Sequence, residues 1–151
     1  MGSMNRLTPE VHALIGAWRL KAFRIVSSNG EVYYPFGESA QGVLLYSRCG
    51  LVSAQLMSTD RPMFESDDQQ IGTPVEFEEN LKNCVSYYGT FEINEEEGFV
   101  IHHVEQSVFP NWKGTAQKRF FELKDNTLSI STPPVNWGND QKVATLVWER
   151  G

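Results

Sequence analysis

Between Val100 and Arg119, the groups His102, His103, Glu105 and Arg119 interrupt runs that are otherwise apolar, and Pro110, Asn111, Trp112 and Gly114 lie between them. The run reads as two β-strands joined by a loop. An ionisable group that a strand turns inward is costly unless it is paired or used, so such a hairpin is the first place to look for a site. Arg119 shares one strand face with Phe121 and Leu123, while Lys118, Phe120 and Glu122 share the other, so Arg119 is read as inward. His102 and His103 are adjacent, so a regular strand admits only one of them to the interior. His102 is preferred, because Val100 and Val104 share its face while Glu105 shares that of His103, and Phe99 and Ile101 weaken this preference.

A symmetric loop from Ser107 to Gly114 sets Arg119 opposite one of these histidines, about 5 Å away at Cβ. A guanidinium beside a partly buried imidazole keeps the ring neutral, by like-charge repulsion and desolvation. The ring can then accept a proton while arginine holds a developing enolate, phenolate or carboxylate. The alternative is structural: Arg119 pairs with Glu105 or Glu92, and the histidine is a hydrogen-bonded core residue. Glu105 either orients His103 from two positions along the same face or is simply solvated.

Other polar groups are placed to touch a ligand. Asn111 and Trp112 fall in the hairpin loop, where an amide and an indole either receive a planar polar ligand or shape the turn and cover the end of the sheet. Tyr46 shares a face with Gly42 and Leu44; Gln55 alternates with Ser53 and Met57, leaving its side open. Tyr33–Tyr34 and Tyr87–Tyr88 are adjacent pairs, of which one member each should point in; Tyr34 and Tyr88 are taken as candidates. The three histidines show no His-x-x-x-His spacing, there is no Cys-x-x-Cys pair, and no phosphate loop or dinucleotide fingerprint occurs. Neither a metal nor a cofactor is expected.

The elements that must position these groups have period two. Strands are expected over residues 18–25, 32–34, 42–47, 51–57, 87–94, 99–106, 115–124, 127–132 and 141–149. Asn29-Gly30, Cys49-Gly50 and Asp125-Asn126 supply turns. Such a meander removes its exposed edges by closing into a barrel. Thr8-Pro9-Glu10 starts a short N-terminal helix ending at Gly16. Thr73-Pro-Val-Glu76 is a capping box, after which Phe77, Leu81, Cys84 and Val85 repeat at helical spacing and predict a buried face. The aperiodic stretch from Ser58 to Gly72 is either a lid or an ordered surface loop.

At 151 residues, with 40% hydrophobic and 21% charged, the chain is expected to form one folded domain over residues 4–151, with 1–3 a cloning remnant. A net charge of −6 without a basic stripe argues against nucleic acid, and no apolar run is long enough to span a membrane. The N-terminus lacks the layout of a secretion signal, and Cys49 and Cys84 make no disulfide framework, so a cytoplasmic protein is expected.

Several blocks carry a resemblance. Gly16-Ala-Trp18 opening the first strand, Tyr34-Pro-Phe-Gly37, Gly42-Val-Leu-Leu-Tyr46, Ser53-Ala-Gln-Leu-Met57, His102-His-Val-Glu105, Phe109-Pro-Asn-Trp112 and Ser131-Thr-Pro-Pro134 resemble the lipocalin-like domain family of small intracellular proteins. The resemblance implies an up-and-down β-barrel around a lipophilic cavity, with Arg150 packed on Trp18. It also implies accessory roles in natural-product pathways. The expected function is a cofactor-independent isomerase or cyclase acting on a small lipophilic, oxygen-bearing intermediate. A non-catalytic carrier is the alternative, and a filled, purely structural barrel the third. The state expected is a monomer or homodimer.

Overall fold

A computed structural model describes residues 13–151, and the helix expected from Thr8 begins outside the described residues. The strands are β1 (Gly16–Val26), β2 (Val32–Tyr33), β3 (Gln41–Tyr46), β4 (Leu51–Met57), β5 (Cys84–Asn94), β6 (Phe99–Ser107), β7 (Ala116–Lys124), β8 (Thr127–Ser131), β9 (Val135–Asn136) and β10 (Gln141–Arg150). One helix, α1 (Pro74–Lys82), stands between β4 and β5, and a 3-10 turn covers Pro110–Trp112. Antiparallel pairing runs β1-β3-β4-β5-β6-β7-β8-β10, and β10 pairs back with β1. The eight-stranded barrel is therefore closed, with β2 and β9 as short additions to β1 and β10.

Alternation along each strand decides what lies inside. Trp18, Leu20, Phe23 and Ile25 of β1, Leu44 and Tyr46 of β3, and Val52, Ala54 and Leu56 of β4 are buried, while their neighbours face out. One end of the barrel is plugged. Trp18 and Trp148 are almost wholly buried there; the Trp18 indole donates to the Leu14 carbonyl at 3.0 Å, and the Arg150 guanidinium lies 4.0 Å from the Trp18 ring centroid. Arg150 also donates to the carbonyls of Ile15, at 3.0 Å, and Ala13. Gly16 has φ +132°, and a Cβ there would stand 3.1 Å from the guanidinium, so the close approach favours glycine.

The helix departs from its sequence expectation. Its capping box forms, with Thr73 Oγ1 accepting from Glu76 N and Glu76 Oε1 accepting from Thr73 N. However, α1 stops at Lys82 and buries none of its residues. Cys84 and Val85 open β5 instead, paired with Met57 and Leu56. Ladder bonds to β4 satisfy that backbone within the sheet, where a further helical turn would leave the β4 edge open. Phe77 packs edge-on against Phe64 at 5.2 Å, so the segment from Ser58 to Gly72 is held to the helix rather than to the core.

Candidate functional site

The β6–β7 hairpin has a different register from a symmetric loop. Val104 N donates to Thr115 O and Gly114 N to Val104 O, which closes the hairpin there, while β6 continues to Ser107 along β5 alone. Arg119 consequently pairs with Val100, and Gln117 pairs with His102. Opposite, Tyr88 pairs with Gln106 and Gly89 with Val104, leaving Glu105 as the extra residue of a bulge. The bulge brings backbone close to Gly89, where a Cβ would stand 1.8 Å from the His103 carbonyl oxygen. Glu105 is exposed and orients nothing inside.

His102 faces inward and is 2% exposed. His103 faces out and pairs with Glu92 at 3.4 Å, both groups being well exposed. The buried imidazole lies between two phenols: Tyr46 Oη is 2.7 Å from Nε2 and Tyr87 Oη is 2.7 Å from Nδ1. Burial, then the charges of Arg119 and His103, hold the His102 pKa down at about 3, so the ring is neutral. Burial also raises both tyrosines, Tyr46 the further, and the phenols stay protonated.

Toward the unplugged end lies a cavity of about 500 Å³, within the roughly 300–1,000 Å³ typical of small-molecule sites. Tyr87, Gln117 and Arg119 supply polar groups to it; Phe23, Leu56, Val85 and Leu146 supply apolar wall. Phe109, Asn111, Trp112 and Trp137 also line it, from the connections between β6 and β7 and between β9 and β10. Trp112 meets Tyr87 edge-to-face at 5.9 Å and Phe109 at 5.8 Å. A chamber of about 330 Å³ adjoins it, sharing Val85, Phe109, Trp112 and Trp137 and reaching Leu81 of α1. A wider groove of about 730 Å³ lies on the flank, lined by Arg19, Gln41, Gln55, Met57 and Arg61 among others. It holds no aromatic side chain and does not reach His102.

Arg119 is 9% exposed, donating to the Lys118 carbonyl at 2.9 Å and to Gln117 Oε1 at 3.2 Å. Among the described residues it has no carboxylate partner, so neither Glu105 nor Glu92 takes the structural role considered for them. Several sequence candidates lie elsewhere. Tyr34 and Tyr88 are exposed, and the members of their pairs that turn toward the interior are Tyr33 and Tyr87. Gln55 points outward, where it accepts from Ser86 Oγ at 2.7 Å. Tyr46 is inside but reaches the cavity only through His102 and Tyr87. Period two would have placed Tyr87 inward with Phe91 and Ile93; Trp137 lies in an aperiodic stretch that gave no such signal.

A closed eight-stranded antiparallel barrel, plugged at one end and hollow at the other, defines a lipocalin-type architecture. Residues 15–151 match the lipocalin-like domain family, and the chain belongs to it. A relative in Aspergillus oryzae, the 4'-hydroxy-3'-methoxypropiophenone carrier protein ppsC, is 33% identical over 107 residues, covering 66% of this chain and 96% of the relative.

Proposed function

We propose that this protein is a carrier that encloses a small, largely apolar aromatic ligand bearing oxygen, in secondary metabolism. The observation that carries this reading is the state of His102. Both ring nitrogens are engaged by phenols, the ring is neutral with a strongly depressed pKa, and it does not line the cavity. A general base needs a free lone pair within reach of the substrate proton and a pKa near the working pH. The imidazole offers neither. What remains is a mostly apolar chamber with a few convergent polar groups, which suits retention of a ligand. The relative named as carrier of an aryl ketone supports the same class of cargo.

The second reading, a cofactor-independent isomerase or cyclase, is favoured by one observation: Arg119 and Tyr87 share the cavity wall and could stabilise a developing enolate. Titration with 4-hydroxy-3-methoxypropiophenone separates the two. Trp112 and Trp137 line the cavity, so saturable fluorescence quenching is expected, with the ligand recovered chemically unchanged. No saturable change up to millimolar ligand would sink the carrier reading. Recovery of an isomer or cyclised product from a bound substrate would establish the second.

A further inference from the structure

The Tyr46–His102–Tyr87 chain has a direction that hydrogen-bond accounting fixes. A neutral imidazole has one N–H donor and one acceptor nitrogen, so one phenol must donate to it and the other must accept from it. Suppose Tyr87 donates to Nδ1. Then Nε2–H donates to Tyr46 Oη, and the Tyr46 hydroxyl proton has no acceptor among the described residues, in a core it shares with Phe91. A buried donor left unmade is the costlier arrangement. In the opposite order Tyr46 O–H donates to Nε2 and Nδ1–H donates to Tyr87 Oη, so neither the Tyr46 nor the His102 proton lacks an acceptor. The Tyr87 hydroxyl proton is then left over, and Tyr87 lines the cavity. The chain thus aims a donor at whatever occupies that space.

Beside it stands Arg119, close enough to act on the ionisation of Tyr87. A guanidinium has five N–H donors. Two hydrogen bonds to neighbours on its own strand leave others to face the cavity. The remaining polar lining groups, Gln117, Asn111, Thr132 and Asn136, are neutral, and His102 stands behind Tyr87. Among the described residues no carboxylate lines the cavity. A cation in such a place is poorly compensated by the protein itself, and an anionic oxygen would compensate it.

We propose that the cavity holds its ligand as an oxyanion, a phenolate or enolate, with Arg119 and the Tyr87 hydroxyl as its two donors. Tyr46 and His102 act as positioning residues that keep the Tyr87 proton turned toward the ligand. The assignment rests on the reading of this chamber as a ligand site and adds the ionisation state and the polarity of the pole that enters first. The aromatic body then lies toward Phe109, Trp112 and Trp137, where ring faces and edges are available.

Two probes of nearly equal shape test this: 4-hydroxy-3-methoxypropiophenone and its O-methyl ether, which cannot ionise. The phenolate absorbs at longer wavelength because its charge is conjugated with the ketone. Bound to the wild-type protein, the phenol should ionise at least one pH unit below its value in free solution, a tenfold or larger change in its ionisation constant. The ether should bind at least tenfold more weakly than the phenol. Arg119→Met should abolish the shift and Arg119→Lys should retain most of it, with melting curves used to establish folding of each. Tyr46→Phe should weaken phenolate binding severalfold, and Tyr46→Phe combined with Tyr87→Phe should be no worse than Tyr87→Phe alone. Nitrogen-15 spectra of His102 should show the proton on Nδ1. Equal binding of phenol and ether without a spectral shift would overturn the oxyanion assignment while leaving the carrier reading intact. Binding of neither would overturn both, and a proton on Nε2 would overturn the relay.

Discussion

Two arginines sit at opposite ends of the same barrel, and their surroundings differ in kind. Arg150 stacks on the Trp18 indole and donates to two backbone carbonyls, so its charge is taken up by the protein. Arg119 is more than nine-tenths buried, has two hydrogen bonds to its own strand, and faces an open chamber. The tryptophans divide in the same way. Trp18 and Trp148 fill space; Trp112 and Trp137 border it. One residue type thus serves as a plug where its donors are satisfied and as a binding group where they are not. His102 lies between the two, linked to Tyr46 on one side and to Tyr87 at the cavity on the other.

The largest effect is expected at the plug. Trp18→Ala should cost about 3–5 kcal/mol of unfolding free energy in urea, by loss of a fully buried indole and the cavity it leaves. Any loss below ~1 kcal/mol would show that this end is not what holds the barrel together.

Acid tests the middle of the barrel. The His102 pKa is held at about 3 in the folded protein against an ordinary 6.5, so between these values the unfolded chain binds a proton that the folded one does not. The contribution of this group is therefore constant above about pH 6.5, and stability falls as pH drops below it, by up to about 1.4 kcal/mol per pH unit from His102. His102→Gln should flatten that slope in urea titrations between pH 6.5 and 4. An unchanged slope would assign acid sensitivity to the carboxylates instead.

The two arginines should then respond differently. Arg150→Met should lose about 2–4 kcal/mol, since it removes charged hydrogen bonds and the contact with Trp18. Arg119→Met should leave stability unchanged or raise it by about 1 kcal/mol, because a poorly compensated buried charge is replaced by an apolar side chain. Equal losses by differential scanning calorimetry would erase the distinction between plug and site.

The smallest effect is expected outside the barrel. Glu92→Gln removes an exposed partner of His103 and should change stability by less than about 0.5 kcal/mol. Ligand affinity measured by fluorescence should not move.

Period-two patterning was enough to locate most strands, the turns between them and the inward face of β7 that carries Arg119. It works because alternation is a local consequence of strand geometry. The β6–β7 register was beyond it: residue types from Val100 to Arg119 do not tell that Val104 bonds to both Gly114 and Thr115 while the strand runs on beside β5. That pairing moved Arg119 from opposite a histidine to opposite Val100. Likewise α1 carries helical spacing through Val85, yet the β4 ladder claims Cys84 and Val85.

Alternation, turns and short motifs act over a few residues, and they sufficed to specify a closed antiparallel barrel and its family. Tertiary structure alone decided that His102 is enclosed by two phenols, and that Arg119 reaches the cavity without an acidic partner among the described residues. Those outcomes depend on which strand lies beside which and on the offset between them. Such long-range pairing is fixed by the balance of every ladder bond and buried side chain together.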